Sequence, residues 1–187
     1  MSSAPEFCPE NSLERAAKAA EDDASRGLAA AEELLARYDA DPRLHFLKGS
    51  LLASLRRYGD AIVAIAEAVR LAPEFHIARF QLGFLQFTSG AVEAAATAWS
   101  PLAQLPDNHA LRHFAQGLQH LARDEFEQTA LLLRRGIAEN HENPALNGDM
   151  QLILDRLPTP TDQSVSDAAS SQTHWLLQQS ASRQTKH

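Results

Sequence analysis

Three histidines have a spacing that could place metal ligands along one side of a helix. His109 and His113 are four residues apart, and His120 follows seven residues later. Imidazoles spaced in this way share a helix face and are common zinc ligands. No nearby Cys or Glu completes a ligand set, and Asp107 and Asp124 lie at the ends of the predicted helix. Without that context the pattern favours solvated or half-buried histidines, and we predict no metal and no cofactor.

Composition and motifs exclude further function classes. No nucleophile-base-acid pattern, phosphate-binding glycine loop or pair of catalytic carboxylates occurs, so the sequence does not predict an enzyme. The chain has 24 acidic and 17 basic residues, for a net charge of -7. A phosphate backbone would be repelled by this charge, and no basic cluster offsets it, so we predict no nucleic-acid binding.

The chain carries no sign of secretion or membrane insertion. Residues 1–11 lack a basic start followed by an apolar run, and no apolar stretch approaches the ~20 residues of a membrane helix. The single cysteine, Cys8, can form no internal disulfide, which is consistent with a reducing compartment. We therefore expect a cytoplasmic protein that does not enter the membrane.

The segments that carry the histidines repeat with a period of 34 residues, which Gly49, Gly83 and Gly117 mark. A period of this length predicts pairs of antiparallel helices that bury their apolar faces against neighbouring pairs. The same spacing relates three further sets: Phe46, Phe80 and Phe114; Ala61, Ala95 and Thr129; and Ile65, Trp99 and Leu133.

With each glycine at the eighth position, three repeats lie at about 42–75, 76–109 and 110–143. Gly59 and Gly90 are expected in the turns within the first two pairs, because glycine tolerates backbone angles that other residues avoid. Pro101 is expected to kink its helix. The first helices are predicted at 44–55, 77–88 and 110–122, and the second helices at 60–71, 91–105 and 125–139.

The flanking segments complete the predicted organisation of one repeat domain over residues 12–157. Residues 1–11 are expected to be flexible, and residues 12–38 form a degenerate helical pair that Gly27 interrupts. Residues 144–157 form a capping helix with Asn143 as its cap. Residues 158–187 are too polar to bury a core and are predicted to be disordered, apart from one apolar island at Trp175, Leu176 and Leu177.

The repeats resemble the tetratricopeptide family over about residues 43–141. His45, Arg79 and His113 depart from the family pattern, which has a large aromatic residue at this fourth position. The resemblance implies an all-α helix-turn-helix solenoid wound into a right-handed superhelix. The matching residues are Gly49, Ala61, Ile65, Ala68 and Pro73 in the first repeat, Leu82, Gly83, Gly90, Ala95 and Trp99 in the second, and Gly117, Leu133 and Gly136 in the third.

The family resemblance also implies that the first helices line a concave groove. Only Arg43 is basic among the groove positions, so a charged C-terminal peptide is disfavoured and an apolar peptide or helix is favoured. A second interpretation shifts the frame by one residue and puts Phe46, Phe80 and Phe114 in the core. The groove residues predicted are Phe46, Ile77, Phe80, Phe84, Phe87, Leu111, Phe114, Leu118 and Leu121.

Two functions follow from this interpretation. The first is an adaptor or chaperone that binds an apolar protein segment, and a narrower version resembles the small acidic chaperones of type III secretion translocators. The second is a structural subunit of a larger assembly. The apolar island at Trp175, Leu176 and Leu177 could also dock into the groove through a flexible tether.

Overall fold

The computed structural model describes residues 7–158 and contains helices but no strand within that range. The chain divides into two compact units, one ending at Leu85 and the other beginning at Gln86, inside the fifth helix. The helices are α1 (Glu10–Asp22), α2 (Ala24–Leu35), α3 (Pro42–Ser54), α4 (Tyr58–Leu71), α5 (His76–Thr88), α6 (Val92–Trp99), α7 (Ala110–Leu121), α8 (Phe126–Glu139) and α9 (Pro144–Leu154).

Close backbone approach explains two of the period-marking glycines. A Cβ on Gly49 would collide with Ile65 of α4, and a Cβ on Gly117 would lie 2.8 Å from Leu133 Cδ2 of α8. Ile65 and Leu133 are buried, and so is Trp99 at the same repeat position, as predicted for Trp99. Helix α3 therefore packs tightly on α4, and α7 packs tightly on α8, because the first helix of each pair lacks a side chain at the contact.

The turns within the three repeats share one capping geometry. Arg56, Gly90 and Asp124 are spaced by 34 residues and all have positive φ, at 61°, 85° and 58°. In each turn the N–H of the residue that follows donates to the carbonyl oxygen five residues before it, as from Arg57 N to Leu52 O at 2.8 Å. This is the Schellman motif, which closes a helix with one left-handed residue. The prediction for Gly59 was wrong, because Gly59 lies inside α4 and Arg56 takes the left-handed position.

Pro101 ends the regular part of the second helix of the middle repeat. Helix α6 stops at Trp99, and a short 3₁₀ helix, Ser100–Gln104, continues the chain. Proline has no N–H to donate and clashes with the preceding turn, so the α-helix does not extend to residue 105 as predicted.

The N-terminal segment is held more closely than the sequence suggested. Helix α1 begins at Glu10 and Cys8 is buried, although residues 1–11 were expected to be flexible. The pair α1–α2 is interrupted at Asp23, whose side chain caps α2, and not at Gly27. Gly27 instead lies against Ala20, where a Cβ would collide.

A buried asparagine connects α8 to the capping helix α9. The Asn140 amide donates to Asn143 O at 2.6 Å and to Asn147 Oδ1 at 2.8 Å, and its oxygen accepts from Asn143 N at 3.2 Å. The predicted cap, Asn143, makes no side-chain capping bond. Leu146 and Met150 of α9 are buried, so α9 contributes side chains to the core as well as covering its end.

Candidate functional site

Most of the predicted groove residues belong to the core. Their open position was an expectation from the family pattern, and the structure contradicts it, because these side chains have no exposed face to offer a ligand. Six of the nine are less than a tenth exposed: Phe80, Phe87, Leu111, Phe114, Leu118 and Leu121.

Local packing shows why two of the phenylalanines are buried. The Phe114 ring lies over Gly136 of α8, where the missing side chain leaves room for it. The Phe87 ring lies 5.8 Å from the Trp99 ring, centroid to centroid, at an angle of 43°. The interpretation that places large aromatic residues in the core is therefore correct for Phe80 and Phe114, which are fully buried.

Three predicted groove residues, Phe46, Ile77 and Phe84, are only half-buried and all lie in the unit that ends at Leu85. The centroid of the Phe46 ring lies 5.0 Å from the centroid of the Phe75 ring. The Phe84 ring stacks on the buried Phe80 ring at 6.1 Å with only 11° between their planes. Ile77 and Phe84 are two helical turns apart and so lie on one side of α5. We call Phe46, Ile77 and Phe84 the half-buried apolar set.

Arg43, the one basic residue at a predicted groove position, is fully engaged within the protein. Its guanidinium donates to Asp41 Oδ2 at 2.8 Å, to Glu10 Oε2 at 2.6 Å and to Cys8 O at 2.6 Å. Asp41 is completely buried and also accepts from Cys8 N at 2.9 Å. Arg43 therefore fastens the N-terminal segment to the start of α3, a role that no sequence pattern indicated.

The three histidines have separate roles. His109 caps α7, its Nδ1 accepting from Leu111 N at 3.2 Å. His113 is buried, with Nε2 2.9 Å from Glu139 Oε2. His120 contacts Glu125. Within residues 7–158 no three His, Cys, Asp or Glu side chains are grouped to hold a metal ion.

Two aliphatic residues on second helices are strongly exposed. Val63 of α4 is 71% exposed and Leu131 of α8 is 60% exposed. They are 68 residues apart, so they occupy the same position two repeats apart. Burial of either side chain against another protein would be favourable.

Sequence comparison connects this helical architecture to a known family. The chain is 33% identical over 121 residues to human tetratricopeptide repeat protein 34, a stretch that makes up 62% of this chain and 21% of that protein. The chain is therefore similar in sequence to a tetratricopeptide repeat protein. It spans about a fifth of the length of this curated relative, and no family model matches it.

Solved structures support the same tetratricopeptide fold. MamA residues 41 to the end from Desulfovibrio magneticus RS-1 superpose with a TM-score of 0.59 at 14% identity, covering 98% of this chain and 100% of that chain. A MamA RS-1 double mutant gives a TM-score of 0.57 at 15% identity, covering 94% and 93%. At these identities the likeness concerns the fold alone. Among the helices that the structure describes, none is long and apolar enough to cross a membrane.

Proposed function

We propose that this protein is a protein–protein interaction module, an adaptor or chaperone, that binds an apolar peptide or helix. The observation that supports this most directly is the half-buried apolar set, Phe46, Ile77 and Phe84, on the first helices of the unit ending at Leu85. Large apolar side chains that keep part of their surface in water gain free energy when a partner covers them, at about 25 cal/mol per Å² of apolar area.

The partner is expected to be apolar and not acidic at this surface. Arg43 has its guanidinium bonded to Asp41, Glu10 and Cys8 O, so it has little capacity left for a peptide carboxylate. Bulky apolar anchors in an apolar trough are the usual mode of helix-in-groove recognition. The proposal includes no enzymatic activity and no cofactor, and it places the protein in the cytoplasm.

A pull-down from the native cell with three forms of the full chain tests this proposal. Phe84→Glu should remove the partners that the unchanged protein retains, because a carboxylate in the apolar contact costs desolvation. Val63→Glu is the matched control, since Val63 is a more exposed apolar residue on α4 of the same unit. Equal loss of partners from both variants, with helical content unchanged, would contradict a site at the half-buried apolar set. If Phe84→Glu unfolds, Ile77→Ser provides the same comparison.

A structural subunit of a larger assembly is the second candidate. The exposed Val63 and Leu131 at one repeat position of the second helices favour it. On this alternative, Leu131→Glu would lower the mass of the native assembly measured by light scattering, and Phe84→Glu would not. The narrower idea of a secretion-translocator-type chaperone rests on fold analogy, which does not establish function. The docking of Trp175, Leu176 and Leu177 concerns residues outside the described range.

A further inference from the structure

A cleft of about 320 Å³ opens between α1 and α2, the helical pair that precedes the three repeats. Its apolar lining is made of small or half-buried side chains, Ala16, Ala30 and Leu34. The volume lies at the lower end of the range for small-ligand sites, which is about 300 to 1,000 Å³. The cleft is separate from the half-buried apolar set, and nothing in the proposed function uses it.

Two arginines line this cleft, one from α1 and one from the turn that follows α2. Arg15 lies on α1 and Arg37 follows the end of α2. Arg15 Nη2 donates to Ser12 Oγ at 3.1 Å, and the Arg37 guanidinium lies 5.7 Å from the centre of the Tyr38 ring. Neither arginine forms an ion pair with a carboxylate within residues 7–158, so both retain donors for an external anion.

One carboxylate, Glu33, shares the lining with the two arginines. The three charges leave a local excess of one positive charge in a chain whose net charge is -7. A guanidinium presents several N–H donors in a planar fork that matches the two oxygens of a carboxylate. The alanines and Leu34 would cover the carbon chain that carries such a group.

We propose that the α1–α2 cleft binds a carboxylate borne on a short apolar chain, with Arg15 and Arg37 as its ligands. Glu33 opposes the anion and restricts binding to ligands that place their charge toward the arginines. The carboxylate could belong to a free acid or to a glutamate side chain of a peptide, and the two sources share this chemistry. Because both guanidinium groups are exposed, binding should weaken as the salt concentration rises.

Titration of the full-length, ¹⁵N-labelled protein tests the proposal with two probes, pentanoate and an acetylated, amidated Leu-Glu-Leu peptide. Amide resonances in residues 12–16 and 30–37 should shift on binding. Arg15→Gln and Arg37→Gln should each raise the dissociation constant by roughly two- to fivefold, the usual effect of losing an exposed ion pair. Glu33→Gln should strengthen binding, because it removes the like charge.

Arg26→Gln is the matched control, since Arg26 is exposed on α2 and does not line the cleft. It should leave the affinity unchanged. Binding of pentanoate alone would identify a free acid as the ligand, and binding of the peptide alone would identify a protein side chain. Absence of shifts with both probes, or an equal loss of affinity in Arg26→Gln and Arg15→Gln, would overturn the proposal. The Phe84 variants do not touch this cleft, so the two proposals fail independently.

Discussion

The Phe114 ring lies so close to Gly136 that a Cβ added to the glycine would be 2.5 Å from both Cδ1 and Cε1 of the ring. Phe114 is fully buried, so the ring is enclosed by the protein on all sides. In the first repeat the same two positions hold Phe46 and Ala68, and there the phenylalanine is only half-buried.

Gly136→Ala should therefore lower the free energy of unfolding by about 1 to 3 kcal/mol, the usual cost of overpacking a core. Gly148→Ala is the control, because a Cβ there meets nothing within 4 Å. Alanine in a helix interior is better than glycine by roughly 0.5 to 1 kcal/mol, so this variant should be stabilised. Urea unfolding of both variants provides the measurement. A Gly136→Ala protein as stable as Gly148→Ala would show that the ring does not pack on the glycine.

The left-handed turn residues predict opposite effects for two substitutions. Arg56 is exposed and has φ of 61°, so Arg56→Gly should stabilise the protein by about 1 kcal/mol, since a side chain is disfavoured at this angle. Gly90 has a φ of 85°, and Gly90→Ala should destabilise the protein by a similar amount. Arg56→Ala separates backbone from side-chain effects and should be nearly neutral. Thermal unfolding provides the measurement. Equal melting temperatures for Arg56→Gly and Arg56→Ala would contradict the prediction.

Asn140 should control the attachment of α9. Asn140→Ala removes the three amide hydrogen bonds to the half-buried Asn143 and Asn147, and we expect it to lower the free energy of unfolding by about 1 to 3 kcal/mol. We expect amide hydrogen exchange to accelerate in α9 more than in α7. Asn143→Ala should have a small effect, because the Asn143 side chain makes no capping bond. Equal exchange rates in α9 for the two variants would rule out this role for Asn140.

The stability contribution of Asp41 should depend on pH in the acid range. Burial raises the pKa of the Asp41 carboxyl, but hydrogen bonds from Arg43 and the Cys8 N–H outweigh burial and hold the pKa below its ordinary value of 3.8. A carboxyl whose pKa is lower in the folded protein stabilises the fold above its unfolded pKa and loses that contribution as the pH falls through its folded pKa.

The difference in unfolding free energy between the unchanged protein and Asp41→Asn should accordingly be constant between pH 5 and 7 and should shrink below about pH 4. Urea titrations at four pH values measure it. A difference that stays constant down to pH 2.5 would indicate that the ionised carboxylate contributes nothing.

Much of the local structure could be predicted from the sequence because it depends on periodic side-chain identity. The 34-residue period indicated the helical pairs, and α3, α5 and α7 begin at Pro42, His76 and Ala110, at that same spacing. Burial of Ile65 and Leu133 followed from the same period, since these residues recur on the inner side of a second helix. Hydrophobic periodicity is a local property, which is why a single sequence reveals it.

The division between core and surface was decided by tertiary packing. Phe46 and Phe114 have the same residue type and repeat position, yet only Phe114 lies over a glycine from another helix. Asp41 and Arg43 likewise act together with Cys8, more than thirty residues away in the chain. The sequence by itself determined the family resemblance and the repeating helices through side-chain periodicity. The tertiary structure alone decided which apolar residues remain accessible, because burial depends on the space that distant residues leave free.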